Sequence, residues 1–151
     1  MDKGKLETFL FNARAKTYAG SAGKVMALLP GTTQLEFTED EWLYRDVYYN
    51  GKDGFIGMEA IFYQNEAVWS MSYYGHYYGI TEEEIDKYLK PSLLANVETR
   101  GRKKIYEQYD GHRYICEPDF DRGIDEIAGL ETIERAGKMI YHLFYAGSLL
   151  K

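Results

Sequence analysis

The chain of 151 residues has a single cysteine, only three prolines and no long apolar run. Cys116 alone cannot form an internal disulfide, and no Cys and His residues have metal-ligand spacing, so a disulfide scaffold and a structural metal site are excluded. A membrane span needs about 18 apolar residues, which no segment supplies. The N-terminal segment also lacks a secretory signal, so the expectation is a cytoplasmic protein that holds no cofactor and no membrane partner.

Basic residues are also few, with 18 Lys and Arg against 24 Asp and Glu, which gives a net charge of −6. This balance disfavours a phosphate backbone as a partner, so nucleic-acid binding by this chain alone is not expected. The one basic cluster, Arg100 to Lys104, is interpreted as a solvated turn.

Aromatic residues are abundant: 15 Tyr, 7 Phe and 2 Trp make up 16% of the chain. Such a composition excludes disorder, and the length predicts one domain, residues 1–151, that buries about 70% of its unfolded surface.

Two segments of the chain resemble each other without a gap. Phe55 to Ile61 aligns with Ile127 to Ile133, and Val68 to Gly75 aligns at the same offset with Ile140 to Gly147. The identical pairs are Gly57/Gly129, Glu59/Glu131, Ile61/Ile133, Tyr73/Tyr145 and Gly75/Gly147. This pattern favours an internal duplication with halves of about residues 1–78 and 79–151.

Each half begins with a helical pattern and continues with strand patterns. Apolar spacing predicts helices over about residues 5–17 and 82–96, the second opened by a capping box at Thr81 and interrupted or kinked at Pro91. Aromatic and β-branched runs predict strands at Thr33 to Phe37, Glu41 to Tyr49, Phe55 to Tyr63, Ala67 to Tyr74, Lys104 to Tyr109, Arg113 to Glu117, Ile127 to Glu134 and Met139 to Tyr145. The predicted fold is α+β: an internal duplication in which each half is a helix followed by an antiparallel β-meander, with the helices packed on the sheet.

Two predicted hairpin loops decide which side chains share a sheet face. Residues 63–65 and 135–137 each suit a three-residue loop, because Asn or Gly takes the left-handed position. This register places Glu59 opposite Trp69 and Glu131 opposite Tyr141. A two-residue loop would instead place Glu59 opposite Ser70, on a polar patch.

The candidate site is therefore a mostly aromatic sheet face with one carboxylate in each half. A carboxylate beside aromatic rings loses hydration, so its pKa rises and it can bind a ligand or exchange a proton. The candidate ligand-binding residues are Tyr44, Asp46, Tyr48, Phe55, Glu59, Trp69, Met71, Tyr73, Glu131 and Tyr141. The alternative is that Glu59 and Glu131 accept backbone or tyrosine hydrogen bonds at a junction between the halves.

Three functions remain open on the residues alone. The first is a non-catalytic binding or sensing domain for a small organic molecule, as the aromatic face with few polar groups suggests. The second is a homodimerisation or protein-interaction module built on exposed aromatics. The third, with least support because no nucleophile or cofactor motif is present, is an enzyme with Asp46 and Glu59 as acid and base.

The chain also resembles an uncharacterised bacterial domain family, found alone or behind helix-turn-helix regulators of the XRE type. The resemblance covers nearly the whole chain and rests on Thr17-Tyr18-Ala19-Gly20, Tyr44-x-Asp46-x-Tyr48, Phe55-x-Gly57-x-Glu59, Trp69-x-Met71-x-Tyr73-x-Gly75, Arg100-Gly101, Gly129-x-Glu131 and Tyr145-x-Gly147. The chain departs from it at Ile127 and at Ala146-Gly147. The resemblance implies an effector-sensing or partner-binding module and no known activity.

Overall fold

In the computed structural model, which describes residues 2–101, 104–108 and 110–151, the chain forms two helices and nine strands. They are α1 (Lys3–Lys16), β1 (Lys24–Val25), β2 (Thr33–Glu39), β3 (Trp42–Asn50), β4 (Gly54–Tyr63), β5 (Glu66–Tyr77), α2 (Glu82–Glu98), β6 (Ile105–Glu107), β7 (His112–Asp121), β8 (Glu126–Arg135) and β9 (Lys138–Leu149). Arg102 and Lys103 of the basic cluster and Tyr109 of a predicted strand lie outside the described residues.

Local signals explain the helix boundaries. The side chain of Asp2 accepts backbone hydrogen bonds at the start of α1, and Thr81 and Glu84 form the predicted capping box of α2. Pro91 lies inside α2, which continues beyond it. Neither helix in the described part of the chain has both the length and the apolar character that a bilayer crossing requires.

The predicted α+β duplication, with a helix packed on the sheet in each half, is wrong. The structure is mostly one antiparallel sheet of nine strands in the order β1-β2-β3-β4-β5-β9-β8-β7-β6, with 51% strand and only 21% helix. The two meanders do not form separate sheets, because β5 pairs with β9 along nine positions, from Trp69–Leu149 to Tyr77–Tyr141. Alternation along one strand predicts its faces but not its neighbour, so local patterns could not reveal this central pairing.

The predicted three-residue hairpin loops are also wrong. Gln64 and Asn65 both have positive φ angles, 50° and 66°, and form a two-residue turn closed by Tyr63 and Glu66. A bulge at Ile61/Phe62 then inserts one residue into β5, so Glu59 pairs with Met71. The bulge restores the alternation that the two-residue turn would have reversed, and Glu59 stays on the aromatic face.

The second hairpin follows the same geometry. Ala136 and Gly137 have positive φ angles, and the register shifts at Ile133/Glu134, so Glu131 pairs with Leu143 rather than with Tyr141. Glu131 therefore also keeps its place on the aromatic face.

Two apolar clusters stabilise this arrangement. In one, Leu6, Phe9, Leu10 and Ala13 of α1 are buried with Tyr44, Ile61, Val68 and Trp69. In the other, Ile85 and Leu89 of α2 are buried with Tyr73, Tyr77, Tyr106, Tyr114, Ile133, Ile140, Tyr141, Leu143 and Tyr145.

Candidate functional site

A cavity of about 440 Å³ lies on the aromatic face and is lined by residues of both helices and six strands. All ten residues predicted from the sequence line it: Tyr44, Asp46, Tyr48, Phe55, Glu59, Trp69, Met71, Tyr73, Glu131 and Tyr141. Eleven of the described lining residues are aromatic, and the cavity falls within the size range of small-molecule pockets. The structure therefore brings the predicted residues together around one open space.

Arg14 of α1 forms an ion pair with Glu59 on the cavity wall. Its Nη2 lies 2.6 Å and its Nε lies 3.0 Å from Oε2 of Glu59, and Nε also donates to Oε1 at 3.3 Å. The guanidinium carbon lies 5.7 Å from the centre of the Trp69 ring. This ion pair anchors α1 to the sheet. Because the Arg14 side chain is still 27% exposed, the pair also presents polar atoms near the cavity.

Asp46 is buried and takes its hydrogen bond from a tyrosine two strands away. The hydroxyl of Tyr73 on β5 donates to Oδ1 of Asp46 on β3 at 2.5 Å. Tyr73 crosses the intervening strand above Gly57, where an added Cβ would lie 2.6 Å from its hydroxyl oxygen. Burial and the neighbouring Glu59 raise the pKa of Asp46 to about 7, although the Tyr73 hydrogen bond and the Arg14 charge oppose this rise.

Glu131 occupies the other side of the cavity and accepts a hydrogen bond from the hydroxyl of Tyr114. Burial and, to a smaller extent, Glu59 raise the pKa of Glu131, while Tyr114 and Arg14 lower it. The expected alternative role, a glutamate that accepts a tyrosine hydrogen bond, is thus present at Glu131. Both Glu59 and Glu131 also line the cavity.

Cys116 lies near Glu131 and is poorly suited to nucleophilic chemistry. Its Sγ is 3.4 Å from the hydroxyl of Tyr145, and burial followed by the charge of Glu131 raises the pKa of the thiol. A thiol with a raised pKa carries little thiolate at neutral pH. Within the described part of the chain, no group of three or more His, Cys, Asp and Glu side chains could hold a metal ion.

Sequence reasoning missed several lining residues, of which Arg14 is the most important. A signal for it was present: Arg14 lies four residues after Leu10, which places both side chains on one helix face. The other missed residues include Tyr18, Tyr77, Tyr114, Cys116 and Tyr145. Alternation along the last strand already places Tyr145 on the aromatic face with Tyr141, although it was not counted among the binding residues. Extending the same pattern to β7 would have found Tyr114.

The comparisons with known proteins give a family without a function. The family model described as Domain of unknown function (DUF5680) matches residues 46–150, well over half of the chain. Neither the curated proteins nor the solved structures contain a match to this chain. The family match confirms the coarse expectation of an uncharacterised domain.

Proposed function

This chain belongs to the DUF5680 family, whose function is unknown, and we propose that it binds or senses a small organic molecule without catalysing a reaction. The observation that carries the proposal is the 440 Å³ cavity lined by all ten predicted residues. An open cavity that is rich in aromatic side chains and also carries polar groups is typical of ligand-binding sites.

The chemistry of the walls favours binding over catalysis. The three carboxylates of the lining are held by Arg14, Tyr73 and Tyr114, and the raised pKa of Cys116 disfavours a thiolate nucleophile. The resemblance to bacterial domains found behind XRE-type regulators also supports effector sensing in the cytoplasm. The ligand expected here has an apolar body, because aromatic rings supply much of the wall.

The proposal is tested by filling the cavity. Leu93 of α2 lines the cavity, whereas its neighbour Leu94 is exposed and lies outside the lining. The fluorescence of N-phenyl-1-naphthylamine, a neutral apolar dye, should rise on addition of the natural protein and of Leu94→Trp. The rise should be lost in Leu93→Trp, whose circular dichroism should match that of the control. A rise of equal size in both variants would sink the assignment of the binding site to this cavity.

Self-association is the alternative, and the opposite sheet face favours it. Four apolar side chains, Ile56, Met58, Tyr74 and Phe144, are about half exposed there, and the rings of Tyr74 and Phe144 stack at 6.0 Å. Exposed apolar patches often mark interfaces between proteins. Sedimentation equilibrium at micromolar concentration should then detect a dimer that Phe144→Glu dissociates, and a monomer throughout would remove this alternative.

An acid/base enzyme remains the third proposal. It has one observation in its favour, the pKa of Asp46 near 7, at which a carboxyl group can both release and accept a proton. An activity with a bell-shaped pH profile that is lost in Asp46→Asn would be required to support it.

A further inference from the structure

The charges around the cavity indicate which ligand it accepts. We propose that the ligand is an organic cation, with an ammonium group attached to an apolar body, an inference that rests on the proposed binding function. Three acidic side chains of the lining, the cavity carboxylates, bear on this choice: Asp46, Glu59 and Glu131.

Acidic groups outnumber basic groups in the lining. Among the described lining residues, six are acidic and three are basic. One of the basic residues, Lys104, lies 3.7 Å from the carboxylate of Asp121, which balances it. An anionic ligand would therefore enter a region of excess negative charge, and a cation would reduce that excess.

The only guanidinium placed among the cavity carboxylates by the described contacts is that of Arg14, and it is committed to Glu59 through both Nε and Nη2. Asp46 and Glu131 have tyrosine hydroxyls as their hydrogen-bond donors. A hydroxyl donates a hydrogen bond but brings no positive charge. The charge of Glu59 therefore still repels the carboxylates of Asp46 and Glu131. Burial, the largest cause, and the charge of Glu59 raise the pKa of both Asp46 and Glu131, and the Arg14 charge opposes this rise only in part.

The aromatic walls supply the second half of a cation site. Rings attract cations over their faces, and tyrosine and tryptophan do so well. The lining already holds side-chain cations in this way: Arg14 lies 5.7 Å from the Trp69 ring centre, and Nζ of Lys90 lies 4.9 Å from that of Tyr18. The same walls that bind an apolar body can thus also face an ammonium group.

The inference is tested with three probes that share one skeleton and differ in charge. Binding of 4-phenylbutan-1-amine, 4-phenylbutan-1-ol and 4-phenylbutanoate is measured by isothermal titration calorimetry at about pH 8, where the amine stays protonated and Asp46, with a pKa of about 7, is largely ionised. We expect the amine to bind about tenfold more tightly than the alcohol, a difference of about 1.4 kcal/mol, and the carboxylate to bind most weakly.

Charge-removing variants locate the source of this preference. Asp46→Asn and Glu131→Gln keep an oxygen that can accept the tyrosine hydrogen bond, so both should fold. Each should weaken amine binding about tenfold and leave alcohol binding almost unchanged. The control is Glu83→Gln on α2, because Glu83 is exposed and lies outside the lining.

The outcomes separate this inference from the function on which it rests. Loss of the amine preference in both variants, with the control unchanged, supports the cation assignment. Alcohol or carboxylate binding at least as tight as amine binding overturns it and leaves a small-molecule site in place. An amine preference that survives both substitutions also overturns it. Failure of all three probes to bind overturns it as well, and the dye experiment with the Leu93 and Leu94 variants then decides on the binding function itself.

Discussion

Replacing Asp46 with asparagine should make the protein more stable at alkaline pH. In the folded chain, burial and Glu59 raise the pKa of Asp46 to about 7 from an ordinary value of 3.8. The folded protein thus holds a proton over a pH range in which the unfolded chain has released it. The free energy of unfolding therefore falls as pH rises through this range, and the loss is complete above the folded pKa.

The size of the effect follows from the width of that range. About three pH units at about 1.4 kcal/mol each give about 4 kcal/mol, a large share of the 5–15 kcal/mol that stabilises a typical domain. Asparagine keeps a side-chain oxygen that can accept the Tyr73 hydrogen bond and carries no charge, so it escapes this loss. We expect the two proteins to be nearly equal in stability at about pH 4 and to differ by about 4 kcal/mol in favour of Asp46→Asn at about pH 9.

Urea unfolding followed by tryptophan fluorescence measures this difference, with Trp69 beside the site and the free energy taken from linear extrapolation. Asp119→Asn is the control, because Asp119 is exposed on β7 and should show little change with pH relative to the natural chain. A stability difference for Asp46→Asn that is constant with pH, or that favours the natural chain at high pH, would refute the assignment of a buried, repelled carboxyl group.

Other substitutions test the packing around the site. Gly57→Ala should cost about 2 kcal/mol in urea unfolding, because its Cβ would lie 2.6 Å from a backbone oxygen of the neighbouring strand, and natural stability would contradict this close approach. Thr81→Ala should cost about 1 kcal/mol in thermal unfolding, because it removes the hydroxyl that caps α2, and an unchanged Tm would show that the cap contributes little. Arg14→Met should cost about 2 kcal/mol, less than the loss of a fully buried pair, because it leaves Glu59 without its cation. A loss of the same size in the exposed Lys16→Met would mean that the ion pair is not the cause.

Local sequence patterns were sufficient to predict most of the helices and strands of this protein. Apolar spacing and the Thr81 capping box predicted both helices, and runs of aromatic and β-branched residues predicted eight strands. The two-residue strand β1 was missed, because two residues show no alternation. The side chains of the aromatic face were predicted as a set, since alternation survives any shift of the register by two residues.

The hairpins show where local chemistry is ambiguous. Both loops contain Asn or Gly, which suits either a three-residue loop or a two-residue turn with positive φ angles. The chain uses the shorter turn and then a bulge, and these two changes cancel in their effect on which face Glu59 occupies. Glu59 thus lies on the predicted face, but because of a two-residue turn and a bulge rather than because of the predicted three-residue loop.

By itself, the sequence determined the helices, the strands and the residues of the aromatic face, because these depend on neighbours a few positions apart. Tertiary structure alone decided that β5 pairs with β9 to make one sheet, that Arg14 reaches Glu59, and that Tyr73 crosses Gly57 to Asp46. Each of these contacts joins residues distant in sequence, and its energy depends on a geometry that only the folded chain creates. The open cavity also belongs to this second group, since its volume is set by how the helices and the sheet fit together.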